Sequence, residues 1–351
     1  MLGGYVVEPD GSTRDFAGQT IFFSFNRFRD EICKTGHCFV CGAAPSKWFN
    51  NEHVFPNWML RLCGIHGETL TLPNGQRVKY GTYKIPCCQG CNTKLAEIFE
   101  TPVSKVIQGG YDGLIAYIKA GGYEQIAAWL ALIFLKSHLR DFQNRVSLDQ
   151  RQDLGVIGDD YDLNELHHIH AVARANTAGV DIDDKVFGTL VVLQVAPDAK
   201  PIAFDYCDNL AGRSMLLQIQ DIALIYVLDD CGATAGMLSE QLKTLPDPIS
   251  QIQLREVYAR HLAANFHIKE RPVFRTEFSG PDGRPRISAT LPNLELLDYQ
   301  PSVFGGLLAG VLEDFADMFT VDGESGAGAL RIISTGRVSF LFDENGDVRS
   351  S

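Results

Sequence analysis

Long apolar runs are missing from this chain of 351 residues. The longest, Ile126 through Leu135, covers ten residues where a bilayer span needs about 20. No membrane-spanning segment is expected, and the run reads as part of a buried helix. Low-complexity tracts, internal repeats and heptad runs are also missing, which sets aside solenoids, coiled coils and disordered linkers. The amino-terminal stretch Met1-Leu2-Gly3-Gly4-Tyr5 has no basic region followed by an apolar one. No export signal is therefore expected, and a cytoplasmic location is. Positive charge is scarce: 31 Lys+Arg stand against 43 Asp+Glu, a net of −12. Such a surface does not attract polyanions as a whole, so any phosphate contact has to be local.

Cysteine, by contrast, is concentrated. Seven of the nine cysteines fall between Cys33 and Cys91. Without a secretory leader this crowding points to metal ligation in a reducing compartment rather than to disulfides. Cys38-x-x-Cys41 and Cys88-x-x-Cys91 each place two sulfurs within reach of one ion, and together they complete the tetrahedral all-thiolate sphere of structural Zn2+. Cys87 competes with Cys88 for one place, but only Cys88 has the two-residue spacing to Cys91. Cys33 and Cys63 are left over. His66 stands at ligand-like spacing from Cys63, though such a lone pair in a loop is more often incidental, and His37 is expected to be exposed on the knuckle. A closed site leaves no position for water, so any chemistry has to come from the polar residues between the knuckles, Glu52 and His53, with Asn92 beside the last cysteine.

Glu52, His53, Pro56 and Cys88-Gln89-Gly90-Cys91-Asn92 resemble the motif of HNH endonucleases, the ββα-metal or His-Me finger family, over roughly residues 33–100. The resemblance implies a ββα-metal core in which His53 is the general base, Glu52 and Asn92 hold a catalytic Mg2+ or Mn2+, and the four cysteines hold zinc. There are two departures. The acid is Glu where Asp is commoner, and Tyr83 stands where the middle Asn of the motif is expected, with Asn74 a substitute of little promise. Hydrolysis of a phosphodiester needs a water nucleophile, neutralised phosphoryl oxygens and a stabilised leaving oxygen. A histidine and one hard cation held by a carboxylate and an amide meet those needs. The competing reading is that these residues decorate a zinc module that binds a protein or a nucleic acid. A stand-alone restriction or mobile-element endonuclease is the other alternative.

Charge is uneven along the chain. Residues 1–105 carry 11 Lys+Arg against 9 Asp+Glu, and residues 106–351 carry 20 against 34. This contrast and the position of the motif suggest an amino-terminal nuclease domain, 1–105, and a regulatory, targeting or oligomerisation domain, 106–351. Lys94, just after Asn92, is the best placed phosphate contact. DNA is the expected substrate, with RNA an alternative, and an activating protein or ligand or a homo-oligomer is the expected control. An acidic partner domain lacking a DNA-reading motif resembles the layout of prokaryotic antiviral defence effectors.

The remainder reads as a mixed, mainly antiparallel α+β domain. Helical stretches are expected at 101–119, interrupted by glycine pairs, and at 123–144, where the stripe Trp129, Ile133, Lys136, Arg140 passes from buried to wet. Strand-like stretches are expected at 166–173, 188–195, 202–207, 216–228 and 329–342, with a hairpin turn at 196–201, helices at 249–268 and 304–319, and a closing turn at 343–346. On a strand, His168 and His170 of His167-His168-Ile169-His170 would share a face and could form a metal arm; a surface patch is the commoner outcome. Cys207 and Cys231 are expected to be buried free thiols.

Overall fold

A computed structural model describes residues 4–197, 202–278 and 284–349. The chain divides into two units, Met1–Val186 with Phe274–Ala289, and Phe187–Val273 with Thr290–Ser351. Residue 105 falls inside the helix Thr101–Gln108, in the first unit.

The first unit is built around the helix Tyr123–Asp141, which is buried on every side from Ile126 to Leu139. Its Ala, Leu, Ile, Phe and Trp residues suit a helix with no wet face. Each large apolar side chain taken out of water contributes about 1.5–3 kcal/mol. The apolar run of the sequence is thus a core helix, and among the described residues no helix is long and apolar enough to cross a membrane. Lys136, expected near the wet end, is 0% exposed. Ahead of this helix, Thr101–Gln108 and Gly110–Tyr117 are separated at Gly109–Gly110, and Gly110 and Gly121 take φ values of 73° and 100° that only glycine adopts without strain.

Residues 166–173 are helical, not extended. They belong to Leu163–Ala178, opened by Asp162, whose carboxylate accepts from Asn164 N at 3.0 Å, and closed by Gly179 in the left-handed region. Caps at both ends and burial at Leu166, Ile169, His170 and Ala173 fix a helical period that a short alternating stretch had disguised.

Between the two knuckles, the strands Glu52–His53 and Lys84–Ile85 pair antiparallel, Glu52 opposite Ile85 and His53 opposite Lys84. The excursion between them contains the helix Asn57–Leu62 and the hairpin Thr69–Thr71 with Arg77–Lys79. The helix Gln89–Leu95 follows the second strand.

The second unit is α+β with an antiparallel four-stranded sheet in the order Phe204–Asn209, Ser214–Ile219, Ile222–Val227, Thr189–Gln194. The stretch 216–228 is therefore two strands, reversing through Gln220 at φ 55°. Leu216, Ala223 and Ile225 of the sheet pack on Leu254, Val257 and Tyr258 of the helix Gln251–Phe266. That helix opens with a reciprocal cap between Ser250 and Gln253. The turn expected at 196–201 lies mostly outside the described residues. The stretch 329–342 is no strand: it holds the end of the helix Gly326–Ile333 and an irregular segment. The fully buried carboxylate of Glu256 explains why. It accepts from Ser339 Oγ at 2.7 Å, from Leu341 N at 3.0 Å and from Phe340 N, so these amides are satisfied without a neighbouring strand. The turn at Asp343 is present, with Gly346 N donating to Asp343 O at 3.1 Å.

Candidate metal centre

Cys38, Cys41, Cys88 and Cys91 bring their four sulfurs within 4.8 Å of one another. The first pair rides on a tight turn in which Gly42 N donates to Cys38 O at 2.8 Å and Cys38 N to Ala43 O at 2.9 Å, with Gly42 at φ 72°. The second pair sits where the helix Gln89–Leu95 begins: Cys88 is its N-cap, and three residues on Cys91 projects to the same side. Cys41 and Cys88 sulfurs are 3.8 Å apart. A tetrahedron with metal–sulfur bonds near 2.3 Å sets its sulfurs about 3.8 Å apart, so the four residues form a cluster able to chelate a metal ion.

The electrostatics suit a cation. Hydrogen bonds from its neighbours, Cys41 foremost, drive the Cys38 thiol far below the usual range. The same interactions push Cys41 up to about 12 and hold Cys91 far above the usual range. One thiolate is stabilised at the expense of the others, and four thiolates together need a divalent ion between them. Arg174 supplies further positive charge. It is 6% exposed, donates to Ile21 O at 2.8 Å and Thr20 O at 2.7 Å, and although burial lowers its pKa to about 10, the cysteines at 91, 41 and 38 favour its charged form. One helical turn earlier, His170 Nε2 donates to Val40 O at 3.2 Å, inside the first knuckle. Burial, with Arg174 nearby, holds His170 neutral.

The histidine cluster is therefore not a metal arm. His167 donates to Phe23 O at 2.7 Å, His170 to the knuckle, and His168 stacks on Phe274 with ring centres 3.8 Å apart. Arg174, and the part His170 plays beside it, escaped the sequence reading because their partnership exists only on a helix; the spacing i, i+4 was the available signal. Cys87 is buried, and its thiol points at Cys88 O at 3.6 Å. His37 is half-buried and donates through Nδ1 to Gly42 O at 2.9 Å. Cys207 and Cys231 form no disulfide and are only partly buried.

The expected catalytic arrangement is not found. Among the described residues the four cysteines are the one group of three or more His, Cys, Asp or Glu side chains whose ligand atoms converge, and neither Glu52 nor His53 belongs to it. The Glu52 carboxylate faces Lys136 Nζ at 3.4 Å, and the same ammonium donates to His53 O at 2.8 Å. Asn92 spends its amide on Asn50 O at 3.2 Å, and burial, followed by Lys84, lowers the pKa of His53. Tyr83, in the place of the middle Asn, is buried and donates to Asp141 Oδ2 at 2.9 Å. Asn74 serves its own turn and Arg145 O. Lys94 is exposed, 3.4 Å from Gln19 Oε1. An ammonium faces the carboxylate that was to hold a divalent ion, and among the described residues that carboxylate joins no convergent group of ligands. The endonuclease reading, with its Mg2+ or Mn2+ and its role in antiviral defence, is overturned in favour of a cysteine-held ion.

Lys136 instead anchors a buried polar cluster with Glu52 and Glu100. Trp58 Nε1 donates to Glu100 Oε2 at 2.8 Å, while Glu100 Oε1 is buried without a hydrogen-bond partner. Burial pushes Glu100 up to about 7, against an opposing pull from Lys136. Because the folded chain holds this proton more tightly than the unfolded chain, stability falls as pH rises from 4.5 to about 7. The loss is on the order of 3 kcal/mol. Denaturant midpoints of wild type and Glu100→Gln, measured side by side across that window, are expected to diverge as pH rises, the variant lacking this loss; parallel curves would contradict the assignment.

Comparison with protein-family models, with curated proteins and with solved structures returns no match to this chain.

Proposed function

We propose that this chain is a non-catalytic zinc-binding interaction protein. One Zn2+ on Cys38, Cys41, Cys88 and Cys91 staples the segment that runs from the first knuckle through the paired strands to the helix Gln89–Leu95, and the surface of that segment docks a protein or nucleic-acid partner. The observation that carries this reading is the convergence of four sulfurs within 4.8 Å of one another, which fits structural zinc, an ion whose four-thiolate sphere leaves no coordination position for a reacting water. Cysteines outside any disulfide fit a reducing, cytoplasmic setting. The zinc-bearing segment also presents an exposed aromatic. Trp48 is 64% exposed, its carbonyl accepts from Gln89 N at 2.8 Å, and Lys47 Nζ lies 5.1 Å from its ring centre. Indole rings fixed in this way are favoured anchors at recognition surfaces. The zinc-stapled part belongs to the residues 1–105 of near-neutral charge, and the acidic remainder targets, regulates or assembles it.

The test uses the purified full chain. Elemental analysis is expected to give one zinc per chain. Incubation with Mg2+ or Mn2+ is expected to leave plasmid DNA, single-stranded DNA and RNA intact. His53→Ala is expected to be dispensable, retaining zinc and partner capture, whereas Trp48→Ala should retain zinc and lose capture. Cleavage that disappears in His53→Ala would overturn the non-catalytic reading.

A further inference from the structure

Beside the first knuckle, on the first unit, a cavity of about 300 Å³ is lined by Lys34, Lys84 and Arg140 and by no carboxylate. In a chain with 43 acidic residues against 31 basic ones, a concave surface with three cations and no acid is unusual. None of the three takes part in a salt bridge within the described residues. Arg140 is held by neutral groups alone, its guanidinium 5.8 Å from the centre of the Tyr83 ring and 3.4 Å from Asn144 Oδ1. Lys84 is fixed by the antiparallel pairing of its strand, opposite His53. Like charges gathered at one opening repel, and a bound anion relieves that repulsion.

The rest of the lining combines apolar side chains with amides, the Thr35 hydroxyl and the His37 ring. Ile32, Phe39 and Leu139 are buried core residues that offer an apolar wall, and Asn51 and Gln143 add side-chain amides at the rim. Apolar walls with a few convergent polar groups are the usual composition of small-molecule sites, and this volume stands at the lower end of their range. It accommodates one ring-bearing phosphate and not a length of polymer.

We propose that this cavity binds a small organic phosphate of mononucleotide size, the phosphate on Lys34, Lys84 and Arg140 and the ring against Phe39 and Leu139. The site is independent of what the zinc-bearing segment docks, and neither reading depends on the other.

The experiment is calorimetric titration of the zinc-loaded full chain with adenosine 5′-monophosphate, adenosine, inorganic phosphate and a short single-stranded oligonucleotide. The monophosphate is expected to bind, adenosine to bind at least about 10-fold more weakly for want of the charge-assisted contacts, and inorganic phosphate to compete. Lys84→Gln and Lys34→Gln should each weaken monophosphate binding by roughly 10-fold, with zinc content and melting temperature unchanged. Lys34 is exposed, so its variant tests the site without risk to folding. Three outcomes overturn the proposal: no monophosphate binding up to about 10 mM, binding indifferent to both substitutions, or an oligonucleotide bound through these lysines while the monophosphate is not.

Discussion

Chelation of the zinc, or Cys41→Ser or Cys91→Ser, is expected to release the two knuckles and to lower the melting temperature of the first unit by roughly 10 °C or more. The reason lies in what each segment has besides the metal. Val54, Phe55, Met59 and Leu60 are 0–2% exposed, and Trp58 stacks on Trp129 with ring centres 6.2 Å apart. These residues keep apolar packing when the ion leaves. Cys41, Cys88 and Cys91 are themselves only half-buried, and apart from the buried Phe39 and Val40 and the bond from His170 to Val40 O their segments rest on backbone turns and on the sulfurs. Hydrogen exchange should therefore accelerate most at residues 38–50 and 86–92 and least in Tyr123–Asp141. Removal of the ion would also leave Arg174 buried beside a cluster in which Cys38 alone is favoured as a thiolate, so its charge is less well compensated. Cys207→Ser, distant from the cluster in sequence and in the other unit, should keep one zinc per chain. A Cys91→Ser protein with full zinc content and an unchanged exchange pattern would refute the ligand assignment.

Asp230→Ala is expected to destabilise the second unit by roughly 3–5 kcal/mol. Asp230 is 0% exposed, and its two oxygens accept from five donors: Thr189 N at 2.8 Å, Thr189 Oγ1 at 2.7 Å, Gly232 N at 3.0 Å, Thr234 N at 2.8 Å and Thr234 Oγ1 at 2.7 Å. One carboxylate thus fastens the start of the strand Thr189–Gln194 to the entry of the helix Ala233–Met237. Truncation leaves buried donors without an acceptor, which costs more than the hydrogen bonds themselves contributed. Asp230→Asn, which keeps one acceptor but turns an amide toward the donors, should fall between alanine and wild type. Urea denaturation followed by a probe in the second unit measures this. An Asp230→Ala midpoint indistinguishable from wild type would show that water replaces the carboxylate and that the clamp is not a stabilising element.

The cysteine positions were legible because Cys-x-x-Cys spacing is a local property: a knuckle turn and the first turn of a helix each place two sulfurs together whatever surrounds them. The strand Thr189–Gln194 and the helix Gln251–Phe266 were legible for a similar reason, since runs of apolar and β-branched residues act over a few positions, whereas 216–228 reads as one stretch and folds as two strands. Tertiary structure alone decided the rest. Whether Glu52 is a metal ligand depends on Lys136, 84 residues away, which sequence periodicity placed in water and packing placed in the core. The His167–His170 cluster alternates like a strand, yet caps nearly a helix-length apart made it helical and turned His170 and Arg174 onto the knuckle. Phe340 and Leu341 have strand-like side chains, but their amides found the Glu256 carboxylate first. Local propensity and spacing fix what a segment can form and which ion it can hold. Which polar group faces which is decided by long-range packing in a low-dielectric interior, where a distant ammonium outweighs a neighbouring motif.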